Sequence, residues 1–243
     1  MHKGIDVSKW QGSIDWNAVS ASGVEFAILK AGGSDAGFYR DSMFERNYAE
    51  AKAAGIPVGA YYFVGSKCTS YADGAADAQR FIQILSGKQF EYPVYIDMES
   101  TSPADKAGAT QACIGFCKTM EEAGYYCGIY ASDIYGFKDR LDISLLGHID
   151  KWVARYGSSP AYAASPGMWQ SSDKGSISGI SGNVDLDIAY KDYPAIIKAA
   201  GLNGFTAAEK PPEQPVEPAE SNLKAENEKL SDMLKRIKDI VNE

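Results

Sequence analysis

Histidine is nearly absent: the 243 residues contain only His2 and His148. Two histidines give little from which to build a Ser/His/Asp nucleophile set, and no Cys/His spacing matches a zinc site, so no metal is expected. Long apolar runs are missing too. Nothing approaches the ~20 residues of a membrane-crossing helix, so no membrane insertion is expected. No apolar stretch follows Met1-His2-Lys3, so no secretory signal peptide is read in this chain. Basic charge is in deficit, 24 Lys and Arg against 32 Asp and Glu for a net charge of −8. That excludes a nucleic-acid binder whose affinity rests on neutralising phosphates. Neither a P-loop nor a dinucleotide glycine fingerprint is present, and no cofactor is expected. The 4 cysteines read as buried thiols, because Cys113 and Cys117 lie one helical turn apart, where the backbone rarely suits a disulfide.

What is present is a folded composition, 45% hydrophobic and 12% aromatic, with enough chain for one large core or a core plus an appendage. Apolar strand patterns alternate with amphipathic helix patterns. Strands are expected at 4–8, 26–30, 58–64, 94–99, 127–130, 151–156, 168–170 and 184–187. Helices are expected at 14–22, 43–54, 71–85, 109–123 and 193–200. Such alternation implies a mostly parallel sheet covered by helices, and about eight strands in this length point to a (β/α) TIM-like barrel. Little helix separates the last strands, so the barrel should be irregular. The chain therefore reads as a catalytic domain over 1–205, a Pro/Glu-rich linker over 206–221 and an amphipathic helix over 222–243.

In a parallel barrel the chemistry sits at the C-terminal ends of the strands and in the loops after them. Asp6, Asp97, Glu99 and Asp185 fall in such places. Asp97 and Glu99, two apart on a strand, share a face with Cα atoms roughly 7 Å apart. Burying carboxylates is unfavourable unless they are paired or protonated, and a cluster raises the pKa of at least one member. One protonated acid beside an ionised one is what glycosidic bond cleavage requires. The alternatives are ion pairing or a hard cation; for Asp187, capping or a surface ion pair stands beside a site role. Lys30 is either a countercharge to the acids or a side chain reaching solvent. Tyr61, Tyr62, Phe63, Tyr130, Trp152, Tyr156 and Trp169 either stack on sugar rings or fill the core.

Asp6-Val7-Ser8-Lys9-Trp10-Gln11-Gly12 with Ile14-Asp15-Trp16 resembles the opening signature of the glycoside hydrolase family 25 lysozymes, the Chalaropsis-type muramidases. Ile96-Asp97-Met98-Glu99 is similar to that family's D-x-E strand. Trp169-Gln170 and Gly179–Leu186 are similar to its closing segment. The resemblance spans roughly residues 3 to 200. It implies hydrolysis of the β-1,4 bond between N-acetylmuramic acid and N-acetylglucosamine in peptidoglycan strands, by a phage or prophage endolysin or a bacterial autolysin. The protein would then stay in the host cytoplasm until released to the cell wall, or act extracellularly. By resemblance Glu99 is the acid/base, Asp97 steadies the substrate's acetamido group, and Asp6 and Asp185 are companion carboxylates. Lys30, Tyr61, Tyr62, Tyr130, Trp152, Tyr156, Trp169 and Gln170 are expected to bind substrate. One departure is visible: after Lys30 the chain reads Ala31-Gly32-Gly33-Ser34, where the family often carries an acid. Stereochemistry stays open, as do a different hydrolase such as a chitinase and a non-catalytic glycan-binding module.

In 222–243 the positions Leu223, Asn227, Leu230, Leu234, Ile237 and Val241 follow a heptad alternation, with Asn227 at an a site. A homo-oligomer through this segment is expected; the alternatives are a helix docked on its own barrel or one end of a truncated connector.

Overall fold

The computed structural model describes residues 1–207, 227–231, 233 and 235. The chain divides into a first unit, Met1–Ala208, and a second, Glu209–Glu243. In the second, the described residues are helical, and Leu230 and Met233 among them are exposed. The heptad positions Leu223, Leu234, Ile237 and Val241, and most of the expected linker, lie outside the described residues.

The first unit holds nine strands: β1 (His2–Val7), β2 (Phe26–Gly33), β3 (Tyr39–Arg40), β4 (Val58–Phe63), β5 (Val94–Asp97), β6 (Cys127–Ser132), β7 (Asp150–Ala154), β8 (Met168–Gly175) and β9 (Val184–Ala189). They interleave with α1 (Trp16–Ala21), α2 (Phe44–Ala53), α3 (Tyr71–Leu85), α4 (Lys106–Glu122) and α5 (Tyr193–Ala200). Eight strands close into a ring in the order β1-β9-β8-β7-β6-β5-β4-β2, sealed by parallel pairing of β1 with β2; the short β3 adds to the edge of β2. The irregularity expected near the end is a reversal: β9 runs antiparallel to both β1 and β8, and the other seven ring strands run together. With no crossover helix between β8 and β9, the chain can only return against its own direction.

Six of the eight expected strands start where expected; the other two starts and the strand ends shift by one to five residues. Strand β5 ends at Asp97, so Glu99 stands in the loop beyond it rather than on the strand. Helix α1 starts later than expected because Asp15 caps it, its carboxylate accepting from the Asn17 and Ala18 amides. Side chains alternate between two apolar layers, with register shifts after Lys30 and after Gln170. Ile5, Ala27, Leu29, Val58, Ala60, Tyr62, Ile96, Ile129 and Val153 face outward against the helices. Phe26, Ile28, Tyr95, Tyr130, Trp152, Met168 and Ala189 fill the interior. The interior is aromatic: Trp152 lies 4.4 Å from the Tyr130 ring and 5.1 Å from Tyr95 between centroids. All four cysteines are buried free thiols, and tertiary packing brings Cys127 Sγ to 3.4 Å from Cys117 Sγ.

Helices α3 and α4 approach backbone to backbone through glycines. A Cβ at Gly74 would strike the Ala112 carbonyl, and one at Gly115 the Tyr71 carbonyl. Helix propensity alone would reward Gly74→Ala by ~1 kcal/mol, but forcing the helices apart costs typically 1–3 kcal/mol or more. The clash is with rigid backbone, so the steric term should win. Gly74→Ala should lower the thermal midpoint by about 5 °C, whereas Gly147→Ala, whose Cβ meets nothing within 4 Å, should leave it unchanged or slightly raised. Parallel thermal melts check both.

Candidate active site

A cleft of about 450 Å³ opens at the mouth formed by the carboxyl ends of the parallel strands. Each of the eight ring strands contributes to its lining. Asp6 comes from β1, Lys30 from β2, Tyr61 from β4 and Asp97 from β5; Tyr130, Trp152, Gln170 and Asp185 come from β6, β7, β8 and β9. Glu99 and Tyr156 reach it from the loops after β5 and β7. Asp185 lies near the start of its strand, not the end. It arrives at the mouth only because β9 is reversed, which sets it directly across the ladder from Asp6.

Two expected residues lie elsewhere. Tyr62 and Trp169 occupy the opposite parity from Tyr61 and Gln170 and point away from the interior. Tyr62 packs outward against Phe81 and Phe116, its hydroxyl donating to Asp77 at 3.4 Å. Trp169 donates from Nε1 to the Arg155 carbonyl at 2.8 Å. Conversely, the cleft gains Lys9, Trp10, Asp35 and Tyr39. Lys9 and Trp10 follow β1 directly, and the rule that loops after barrel strands carry the site would have found them. Asp35, in the loop after β2, falls under the same rule; Tyr39 had no such signal, since it opens the two-residue β3. An acid thus does enter from the loop after Lys30, at Asp35. Trp10 is 79% exposed at the rim, an open ring face with Lys9 Nζ 5.1 Å from its centroid.

The carboxyls are held by few donors. Asp6 accepts from Gln170 Nε2 at 2.7 Å, and Gln170 Oε1 accepts from the Tyr130 and Tyr156 hydroxyls at 2.9 and 3.1 Å. Both ends of the Gln170 amide are therefore engaged within the protein, so it orients Asp6 and two tyrosines. Asp187, deeper on β9, is buried beneath the cleft. Its Oδ1 accepts from Trp152 Nε1 at 2.7 Å, while Oδ2 meets no donor. It is neither a cap nor a surface ion pair. Burial raises Asp187, and Asp6 and Asp187 bear on one another's ionisation, since two buried carboxyls this near do not both ionise.

Electrostatics follow from this enclosure. Burial, and then the charges of Asp187 and Asp185, push Asp6 well above the ordinary carboxylate range. Burial and the neighbouring Glu99 do the same to Asp97, with Lys30 opposing. Burial raises Glu99 as well, against the pull of Lys30 and Arg140, although its side chain remains open to the cleft. Asp185 is raised to about 6 by burial, Asp173 and Glu99. Lys30 is thus the countercharge, its ammonium 4.4 Å from the Phe63 ring centroid. Several acids that share few protons, ringed by aromatic faces, can give a proton to a glycosidic oxygen and stabilise positive charge beside it.

A closed (β/α) barrel with converging carboxyls at its carboxyl mouth is the architecture of the barrel glycoside hydrolases. The profile described as Glycosyl hydrolases family 25 matches residues 5–180, and the chain belongs to that family. It is similar to the autolytic lysozyme of Clostridium acetobutylicum, 34% identical over 186 residues that cover 76% of this chain and 55% of that one. Among solved structures it resembles the CTP1L endolysin (TM-score 0.71, 27% identity, 82% of this chain and 70% of that one). It also resembles the modular autolysin LytC of Streptococcus pneumoniae, solved with a synthetic peptidoglycan ligand (TM-score 0.67, 26% identity, 78% of this chain and 46% of that one). The chain thus spans about half the length of the clostridial relative. Among the described residues no helix is long and apolar enough to cross a membrane.

The buried acid pair has a measurable consequence. Asp187 titrates near 4 in an unfolded chain and is raised to about 8 in the fold. The folded state therefore binds its proton more tightly. That stability is complete below pH ~4 and is lost as pH rises through 8. Asp187→Asn keeps an acceptor for Trp152 and offers an N–H to Asp6. It should flatten the decline in stability between pH 5 and 8.5 and add on the order of 2 kcal/mol at the upper end. Urea unfolding of both proteins across that range tests this.

Proposed function

We propose that this chain is a muramidase that hydrolyses the β-1,4 bond between N-acetylmuramic acid and N-acetylglucosamine in peptidoglycan. The observation that carries the reading is the meeting of Asp6, Asp97, Glu99 and Asp185, distant in sequence, in one aromatic-walled cleft. Glu99, accessible yet with a raised pKa, is the proton donor to the leaving oxygen and then the base. Asp97, buried beside it, holds the substrate's 2-acetamido group. Asp6 and Asp185 supply negative potential toward the positive charge that develops at the sugar. Tyr61, Tyr130, Trp152 and Tyr156 line the sugar site, and the open face of Trp10 extends it at the rim. The names of the relatives, an autolytic lysozyme, an endolysin and an autolysin, support this chemistry and a place of action at the cell wall. Glu99→Gln should fold normally and lose activity by ~10³-fold, since a positioned general acid/base contributes about 10²–10⁴. Release of reducing ends from purified walls measures the loss. Muramic acid at the new reducing end is expected, and glucosamine there would reject the bond assignment.

The chain's organisation completes the proposal. The barrel over 1–205 does the chemistry, 206–221 is a spacer, and 222–243 associates copies through its heptad positions. Several barrels then grip one insoluble polymer, so that linkage rather than new contacts raises avidity. Sedimentation of the full chain against a version ending at Gly204 should show a larger species only for the full chain; equal monomer masses would end the idea.

A further inference from the structure

We propose that a second, charged cleft beside the candidate active site receives the acidic peptide that peptidoglycan carries on its muramic acid. This inference rests on the muramidase reading and goes beyond it by naming what the substrate presents outside the sugar site. The cleft has a volume of about 220 Å³ and is bounded by Ser34, Gly65, Lys67, Asp73, Asp77 and Arg80. Its position is set by the same two strands that build one wall of the sugar cleft. Ser34 follows β2 and lines the second cleft, while its chain neighbour Asp35 lines the first. Gly65 follows β4 and packs so closely on this backbone that a Cβ there would lie 3.0 Å from Asp35 Cα. The two clefts are thus lined by adjacent residues of one segment.

The chemistry of the two clefts differs. Aromatic rings wall the first, as a sugar site requires; the second has none in its lining. Its acids are already engaged. Asp77, buried, accepts from Ser34 Oγ at 2.8 Å and from an Arg80 Nη at 2.9 Å. Asp73 accepts from Ser70 Oγ at 2.7 Å and from the Thr69 amide at 3.3 Å at the start of α3. The bases retain capacity. Lys67 is exposed and, among the described residues, has no carboxylate within 4 Å. Arg80 spends one nitrogen on Asp77, which holds the guanidinium at the cleft while leaving other N–H groups to bond, and its guanidinium carbon lies 5.9 Å from the Phe38 ring centroid. A guanidinium held in place beside a free ammonium suits a carboxylate. The muramic sugar carries its peptide on its lactyl group, and the proposal seats that peptide's carboxylates in the second cleft while the sugar occupies the first.

The test uses the full-length chain and two soluble substrates: purified glycan strands with their peptides, and the same strands with the peptides removed enzymatically. Wild type should cleave both and prefer the peptide-bearing strands. Lys67→Ala with Arg80→Gln should reduce kcat/KM on peptide-bearing strands about tenfold, through KM, and leave the peptide-free strands unaffected. Lys67→Ala alone, at an exposed position that leaves Asp77 paired, should give a smaller loss of the same selectivity and guards against a folding defect in the double variant. Equal losses on both substrates, or none on peptide-bearing strands with a folded variant, would overturn the proposal. Failure of wild type to cleave either strand would instead bring down the muramidase reading beneath it.

Discussion

Carboxyl groups crowded into a low-dielectric barrel mouth are the constraint on which this structure turns. Asp6, Asp97, Asp185 and Asp187 lose water, and each faces a neighbouring carboxylate that raises the cost of ionising it. Among the described residues Lys30 and Lys9 are the cations that line the cleft beside these acids, fewer than the acids they face. The fold tolerates this by distributing donors sparingly, one amide of Gln170 to Asp6 and one indole N–H to Asp187. The remaining charge is relieved by retained protons, and retained protons are what an acid catalyst needs. Stability lost at neutral pH and chemistry gained there have one origin.

The reversed strand β9 is the device that makes the crowding possible. Were β9 parallel to its neighbours, the start of that strand would lie at the closed end of the barrel, and Asp185 with it. Running β9 downward from the mouth places Asp185 opposite Asp6 and drops Asp187 one step beneath. Trp152 then serves two layers, presenting a ring edge to the cleft and an N–H to the acid under the floor. Small residues make the space: a Cβ at Gly4 would meet the Phe26 ring, and one at Gly128 the Tyr95 ring. Aromatic packing, glycine placement and acid burial are thus one arrangement.

Membership in glycosyl hydrolases family 25 sets the frame in which these details are read. The β1–α1 loop offers an exposed tryptophan to the cleft, and the β2–β3 loop supplies Asp35. Asp133 pins the rim on the far side. Burial opposes its ionisation, yet amides of Ala161 and Ala163, each at 2.8 Å, and Arg155 hold its carboxyl below the usual range. That anchor fixes the segment bearing Tyr156.

Much was legible in the chain itself. Alternating apolar strands and amphipathic helices give a barrel because each sheet face must be covered. Acids placed at strand ends mark its mouth, and the ordered motifs from Asp6 to Leu186 mark the family. Period-two alternation also distinguishes Tyr61 from Tyr62 and Gln170 from Trp169, and there the residue types alone misled, since aromatic character says nothing about facing. The direction of β9, the placing of Asp187 near Asp6, the approach of Cys127 to Cys117 and the entry of Tyr39 were decided only in three dimensions. Local sequence sets which way each side chain points from its own strand. Which strands become neighbours, and with what polarity, depends on closing the ring, and no single segment contains that information.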